Sequence, residues 1–149
     1  RVWVPGCSTG EEAYSIAMIL RELDRFLAVV TLSFDAHPDD LVAAIRVASQ
    51  SVLELAQGNA LLVAVVSATH GADTELLPLL TTHAESLLAA AKVVIAERLA
   101  PYDLDLGPDR LDAAIDMVVR VVLSHVMQPS ASPARTAADI AWIADRVLR

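Results

Sequence analysis

The segment RVWVPGCSTGEEAYS at residues 1–15 has the design of a cofactor loop. A short apolar stretch, Val2 to Val4, leads into Gly6, Cys7, Ser8, Thr9 and Gly10, and Glu11 and Glu12 follow at once. In a nucleotide-binding βαβ unit the first strand delivers a glycine-containing loop to the start of a helix. Backbone can then approach the cofactor, and a carboxylate can meet its polar groups. Cys7 is the single cysteine. A thiol at a helix N-terminus ionises more readily, but no histidine lies near Cys7 in sequence to form a catalytic pair, so a structural role is expected. His37, His70, His83 and His125 are scattered, without the i, i+4 or Cys/His spacing of a metal site, and no metal is expected. Asp109, Asp112 and Asp116 share a helix face at spacings of three and four. Near a helix start, such carboxylates are solvated partners of the dipole far more often than acid–base catalysts. No catalytic residue is assigned.

The elements that would hold these residues read as helices almost throughout. Ser8 with Glu11, and Thr9 with Glu12, both fit the Ser/Thr-x-x-Glu capping box, so a helix should start near Gly10. Ala13, Ile16, Leu20, Leu23, Leu27, Val30 and Phe34 then recur at spacings of three and four, which makes one continuous helix the leading expectation. A competing reading ends the helix near Arg25 and turns Leu27 to Phe34 into a strand, because Val, Thr and Phe favour that state. Pro38 suits the first turn of the next helix, with Asp39 and Asp40 complementing its dipole. That helix runs to about Gln57, where Gly58 and Asn59 stop it. Residues 60–69 read as a short helix buried on most sides. Asp73 caps a brief segment holding Leu76, Leu77 and Leu80, which Pro78 kinks. Thr82 with Glu85 opens a helix from His83 to Leu99.

After a turn-rich stretch at 101–108, Pro108 starts a helix whose Leu111, Ile115, Val118, Val122 and Val126 form one stripe. Met117 and Val121 widen that stripe into two apolar faces, which implies two packing partners. Ser132 caps the last helix, where Ile140, Ile143 and Val147 line up with Ala137 and Ala144. The expected fold class is all-α: a single helical bundle of six to seven helices, with an N-terminal arm that is irregular or one short strand.

At 149 residues and 15.9 kDa the chain is one domain by size, large enough to fold without staples. Hydrophobic residues make up 55% of it, yet the longest apolar runs, such as 60–66, fall far below the ~20 residues of a membrane-spanning helix. No membrane partner is expected. With 19 acidic against 11 basic residues, a net charge of −8 and no Lys/Arg cluster, the surface should repel phosphate backbones, so direct nucleic acid binding is not expected. One cysteine excludes an internal disulfide and fits a reducing compartment. Arg1 stands where an initiator Met would be, and no basic, apolar, small-residue leader follows it. The expectation is a fragment or processed chain without a secretion signal, placed in the cytoplasm.

Two resemblances divide the chain near residues 24–27. RVWVPGCSTGEEAYSIAMILRELD at 1–24 resembles the first cofactor motif of CheR-type chemotaxis methyltransferases, which methylate receptor glutamates with S-adenosylmethionine. That resemblance implies a first strand at Val2 to Val4, a cofactor loop at Gly6, Cys7, Ser8, Thr9 and Gly10, and Glu12 against the methionine amino group. Asp35, after Val29 to Phe34, would hold the ribose hydroxyls. Nothing after Asp35 matches the family's later strands or its Asn/Arg segment, so the enzyme reading is an alternative, as an inactive fragment, and no cofactor is expected in the main reading.

The rest, with ELLPLLTTHAESLLAAA, AERLAPY and two closing amphipathic segments, resembles the C-terminal ligand-binding and dimerisation domain of TetR-type transcriptional regulators. The resemblance implies an apolar ligand pocket among the middle helices, for which Leu62, Val66, His70, Leu87, Ala91 and Met117 are candidates. It also implies a homodimer through the last two helices, with Leu111, Ile115, Val118, Val122, Ile140, Ile143 and Val147 at the interface. No helix-turn-helix precedes Phe26. The domains expected are a methyltransferase-motif-like segment at 1–25, packed on or fused into the first helix, and a helical regulatory domain at 26–149. A composite chain without an evolved function of its own is a further alternative.

Overall fold

The computed structural model describes residues 11–59 and 89–148, and all regular structure among them is helical. Helix α1 spans Glu11–Asp35 and α2 spans Leu41–Ala56. Residues 89–99 are the described part of α3. A 3₁₀ turn at Ala100–Tyr102 follows, then α4, Pro108–Met127, and α5, Pro133–Val147. The all-α expectation holds, with five helices described. The two further segments expected at 60–69 and 73–80, and the N-terminal arm, lie outside the described residues.

The continuous α1 decides between the two readings of Leu27 to Phe34. This stretch is helical and not a strand, although it is rich in residues that favour strands. Its apolar side chains repeat at helical spacing and bury against α2, and tertiary packing of such a stripe outweighs intrinsic propensity. The buried line differs by one position from the expected stripe: Phe26, Ser33 and Phe34 are buried, whereas Leu20 is partly open. Ser33 satisfies its hydroxyl by donating to the Val29 carbonyl at 2.7 Å, so a polar residue can sit inside this face.

Helix α1 and α2 form an antiparallel hairpin. Phe34 packs with Ala44 and Ile45 near the turn, and Phe26 packs with Leu53 and Ala56 at the other end. The turn corrects one expectation: Pro38 precedes α2 instead of opening it, and Asp40 is the N-cap. The Asp40 carboxylate accepts from the Ala43 amide at 2.9 Å, satisfying one of the first turn's unpaired donors. Further along, the Tyr102 hydroxyl donates to the His37 carbonyl at 2.7 Å, and its ring meets Phe34 edge-on with centroids 6.1 Å apart. The 3₁₀ turn is thereby pinned to the α1–α2 corner.

Helix α5 lies chiefly along α2 and touches α4 over a shorter length. Ala44 and Ala48 of α2 and Ala137, Ala141 and Ala144 of α5 are all buried, and such small side chains let two helix axes approach closely. Ile115 of α4, Ile140 of α5 and Leu99 of α3 complete the main core. Gly58 ends the α2 region with φ +83°, in the left-handed region that L side chains resist. A Cβ there would meet nothing within 4 Å, so Gly58→Ala tests the backbone alone. It is expected to destabilise the fold by about 0.5–1 kcal/mol, the left-handed cost less the entropy removed from the unfolded chain. Urea unfolding midpoints of the two proteins check this.

Candidate functional site

The residues with cofactor potential do not form a described site. Gly6 to Gly10 lie outside the described residues, and Glu12 falls in the first turn of α1. Asp35 is the last residue of α1 and follows a helix, not a strand. Its carboxylate accepts from Arg98 Nη1 at 3.0 Å. This near-surface pair joins the ends of α1 and α3 and engages one of the two oxygens a ribose would need. Arg98 Nε is buried without a hydrogen-bond partner, so the guanidinium is satisfied on one side only.

Two of the three carboxylates expected on one face of α4, Asp112 and Asp116, are tied to α3. Lys92 of α3 reaches Asp112 at 2.8 Å and Asp116 at 3.7 Å, and Arg120 donates to Asp116 at 2.7 Å. Asp116 therefore sits between two cations. The hydrogen bond from Arg120 is the main cause that lowers its pKa, with the charges of Arg120 and Lys92 acting the same way against partial burial. The Lys92 pKa is raised, first by its hydrogen bond to Asp112. Tyr102 is also raised, by burial and then by Asp39, Asp40 and Asp35.

The signs give a pH window. A carboxylate held below its unfolded value stabilises the fold above that value, about 3.9, and the contribution is lost as pH falls through the lower folded pKa. Stability is expected to drop on acidification below about pH 4, and Asp116→Asn should flatten that limb in urea melts run across the acid range. Lys92 and Tyr102, both raised, contribute below their unfolded values and lose that contribution on the far alkaline side. Among the described residues no group of three or more His, Cys, Asp or Glu side chains is placed to hold a metal ion.

The expected interface residues divide into two sets. Ile115 and Ile140 are buried in the core of the single chain, and Leu111, Val118 and Val122 are half-buried against it. Ile143 is 50% exposed and Val147 49%, on the outer side of α5 beside Trp142 at 58%. Arg146 stacks its guanidinium over the Trp142 ring, 4.1 Å from the centroid. On α4, Met117 is 63% exposed and Val121 is open as well. Met117, a pocket candidate, thus lies on an exposed side of α4. Of the other pocket candidates, Ala91 is half-buried on α3, and Leu62, Val66, His70 and Leu87 lie outside the described residues.

One concave site went unread in the sequence. A half-open cleft of about 330 Å³ lies where the last turn of α2, the last turn of α4 and the start of α5 meet. Leu53, Ala56, Val126, Met127 and Pro129 form its apolar wall, and His125 is at its polar side. These residues come from segments distant in sequence, so no local pattern announces them. Among the described residues no helix is long and apolar enough to cross a membrane.

The family described as Bacterial Tetracyclin repressor, C-terminal domain, matches residues 40–146, from the N-cap of α2 to the end of α5. The chain belongs to this repressor-domain family. A second family, the CheR methyltransferase SAM-binding domain, matches residues 1–57, so both matches include α2. A curated protein of Pseudomonas putida named methyltransferase Cher3 is 44% identical over 41 residues, which is 28% of this chain and 15% of that protein. The chain thus spans only about 15% of the length of that curated relative. No solved structure matches the chain. Within the repressor-domain match, α4 and α5 are the two closing helices, and their open faces carry Met117, Val121, Trp142, Ile143 and Val147.

Proposed function

We propose that residues 26–149 act as the ligand-sensing and dimerisation domain of a TetR-like transcriptional regulator. The observation that carries this reading is the repressor-domain match over 40–146, in which the two closing helices leave large apolar side chains open to solvent. Such side chains on adjoining elements mark a protein–protein contact. A second copy meeting the same face through a two-fold axis would cover both sets at once. A small apolar ligand enters a pocket among the middle helices that includes Leu62, Val66, His70, Leu87 and Ala91, and its binding shifts the relation between the protomers. The protein works in the cytoplasm as a binder and not as a catalyst, and its net charge of −8 leaves direct nucleic acid contact out of this reading.

Thermal unfolding against a collection of small apolar compounds tests the sensing role. At least one compound should raise Tm in a concentration-dependent way. Ala91→Trp, which fills the inner side of α3, should abolish that rise while the protein stays helical by circular dichroism. A broad collection without a stabilising compound contradicts the reading.

The match over residues 1–57 favours a second reading, in which the N-terminal segment retains S-adenosylmethionine binding through Gly6 to Gly10 and Glu12. Isothermal titration of the cofactor decides it. Saturable heat that Glu12→Ala removes supports the second reading, and flat titrations of a folded sample sink it.

A further inference from the structure

We propose that the cleft between α2, α4 and the α4–α5 connection is a separate binding site for a small aromatic amine, a ligand with an apolar body and a cationic hydrogen-bond donor. The size of the site comes first. A cleft of about 330 Å³ is at the lower end of the range of small-molecule sites, and its wall of Leu53, Ala56, Val126, Met127 and Pro129 suits one or two fused rings.

The polarity of the rim selects the donor. The lining runs through the last turns of two helices, to the Gln57 cap of α2 and toward the Gln128 cap of α4. Helix C-termini present carbonyl oxygens and the negative end of the macrodipole, so both favour a cation. One opposing contribution is present, the N-terminus of α5 at Pro133, but Ser132 already caps its first turn by accepting from the Arg135 amide. Among the described residues no Lys or Arg side chain lines the cleft, so none of them competes with a bound cation. His125 is one of the lining residues, and its Nδ1 meets the Ser130 hydroxyl at 3.3 Å, which holds the imidazole at the rim of the cleft. The overall charge of −8 favours approach of a cation and disfavours a carboxylate.

The lining residues of this cleft are none of the candidates for the pocket of the regulatory reading, and failure of the proposal would leave that reading intact. The test is isothermal titration of the full chain with tryptamine and with indole-3-acetate, which share a ring system and differ in the sign of the side-chain charge. Tryptamine should bind at least tenfold more tightly. His125→Phe should weaken it severalfold, and Ala131→Trp, placed in the exposed connection to fill the cleft, should abolish it with helicity unchanged. Equal affinity for the two compounds, no tryptamine binding at all, or binding that survives Ala131→Trp would each overturn the proposal.

Discussion

Replacing Ile143 with Asp is expected to shift a dimer of this chain toward monomers, weakening self-association by at least roughly 10–10². The magnitude follows from burial. Ile143 is 50% exposed in the single chain, so covering it removes a large aliphatic surface from water. Full burial of such a side chain contributes about 1.5–3 kcal/mol, the half still open contributes about 0.8–1.5 kcal/mol, and an isologous contact counts it twice. A loss of about 1.5–3 kcal/mol at about 1.4 kcal/mol per tenfold gives the range, before the cost of pressing two carboxylates into an apolar contact. The fold of each chain should be largely retained, because half of the side chain is already open to solvent in the monomer. Sedimentation velocity across a concentration series reads the change directly, with circular dichroism as the control. An unchanged dissociation constant would remove Ile143 from the interface.

Ile140→Ala, three residues away on the same helix, should produce the opposite pattern. Ile140 is 4% exposed and sits in the core with Ala44, Ile115 and Leu148. Truncating a buried Ile to Ala costs about 2–5 kcal/mol through lost transfer energy and the cavity left behind. Half of the ten other buried residues of this core are alanine, which cannot swing in to fill the space, so the cost should not fall at the bottom of the range. Urea unfolding at fixed protein concentration should show a lower midpoint for Ile140→Ala, and the same drop should appear in the Ile143→Asp background. Equal stability of the two chains would mean that α5 is not packed as the structure has it.

The contrast between these neighbours explains how much the sequence could reveal. Caps were legible: Pro108 and Ser132 open α4 and α5, and Gly58 closes the α2 region, because each satisfies a local backbone requirement. Asp40 was read only as a dipole partner within a helix begun by Pro38, and its capping role emerged from the turn that Tyr102 holds. Ile140, Ile143 and Val147 formed one stripe in sequence, yet the first faces the core and the others face outward. Period alone cannot separate them, since a helix with two apolar partners has two adjoining faces. Met117 likewise lies on an exposed side of α4.

The unread features are long-range. Lys92 reaches Asp112 and Asp116 across a connection of turns, and Arg98 finds Asp35 from the far end of another helix. The cleft is assembled from the ends of α2 and α4 and the start of α5. Distances between elements set all three, and no residue pattern within one element encodes them. The strand reading of Leu27 to Phe34 failed because β-propensity describes fit to a half-buried sheet, and here the surrounding surface is α2.

The central claim is that the open faces of α4 and α5 serve self-association within a repressor-type domain. The mass of the chain measured by light scattering behind size exclusion, at micromolar concentration, addresses it most directly. Twice the 15.9 kDa of a single chain is expected. A stable, helical monomer of 15.9 kDa would contradict it, because Trp142, Ile143, Val147, Met117 and Val121 would then stay in water with no partner.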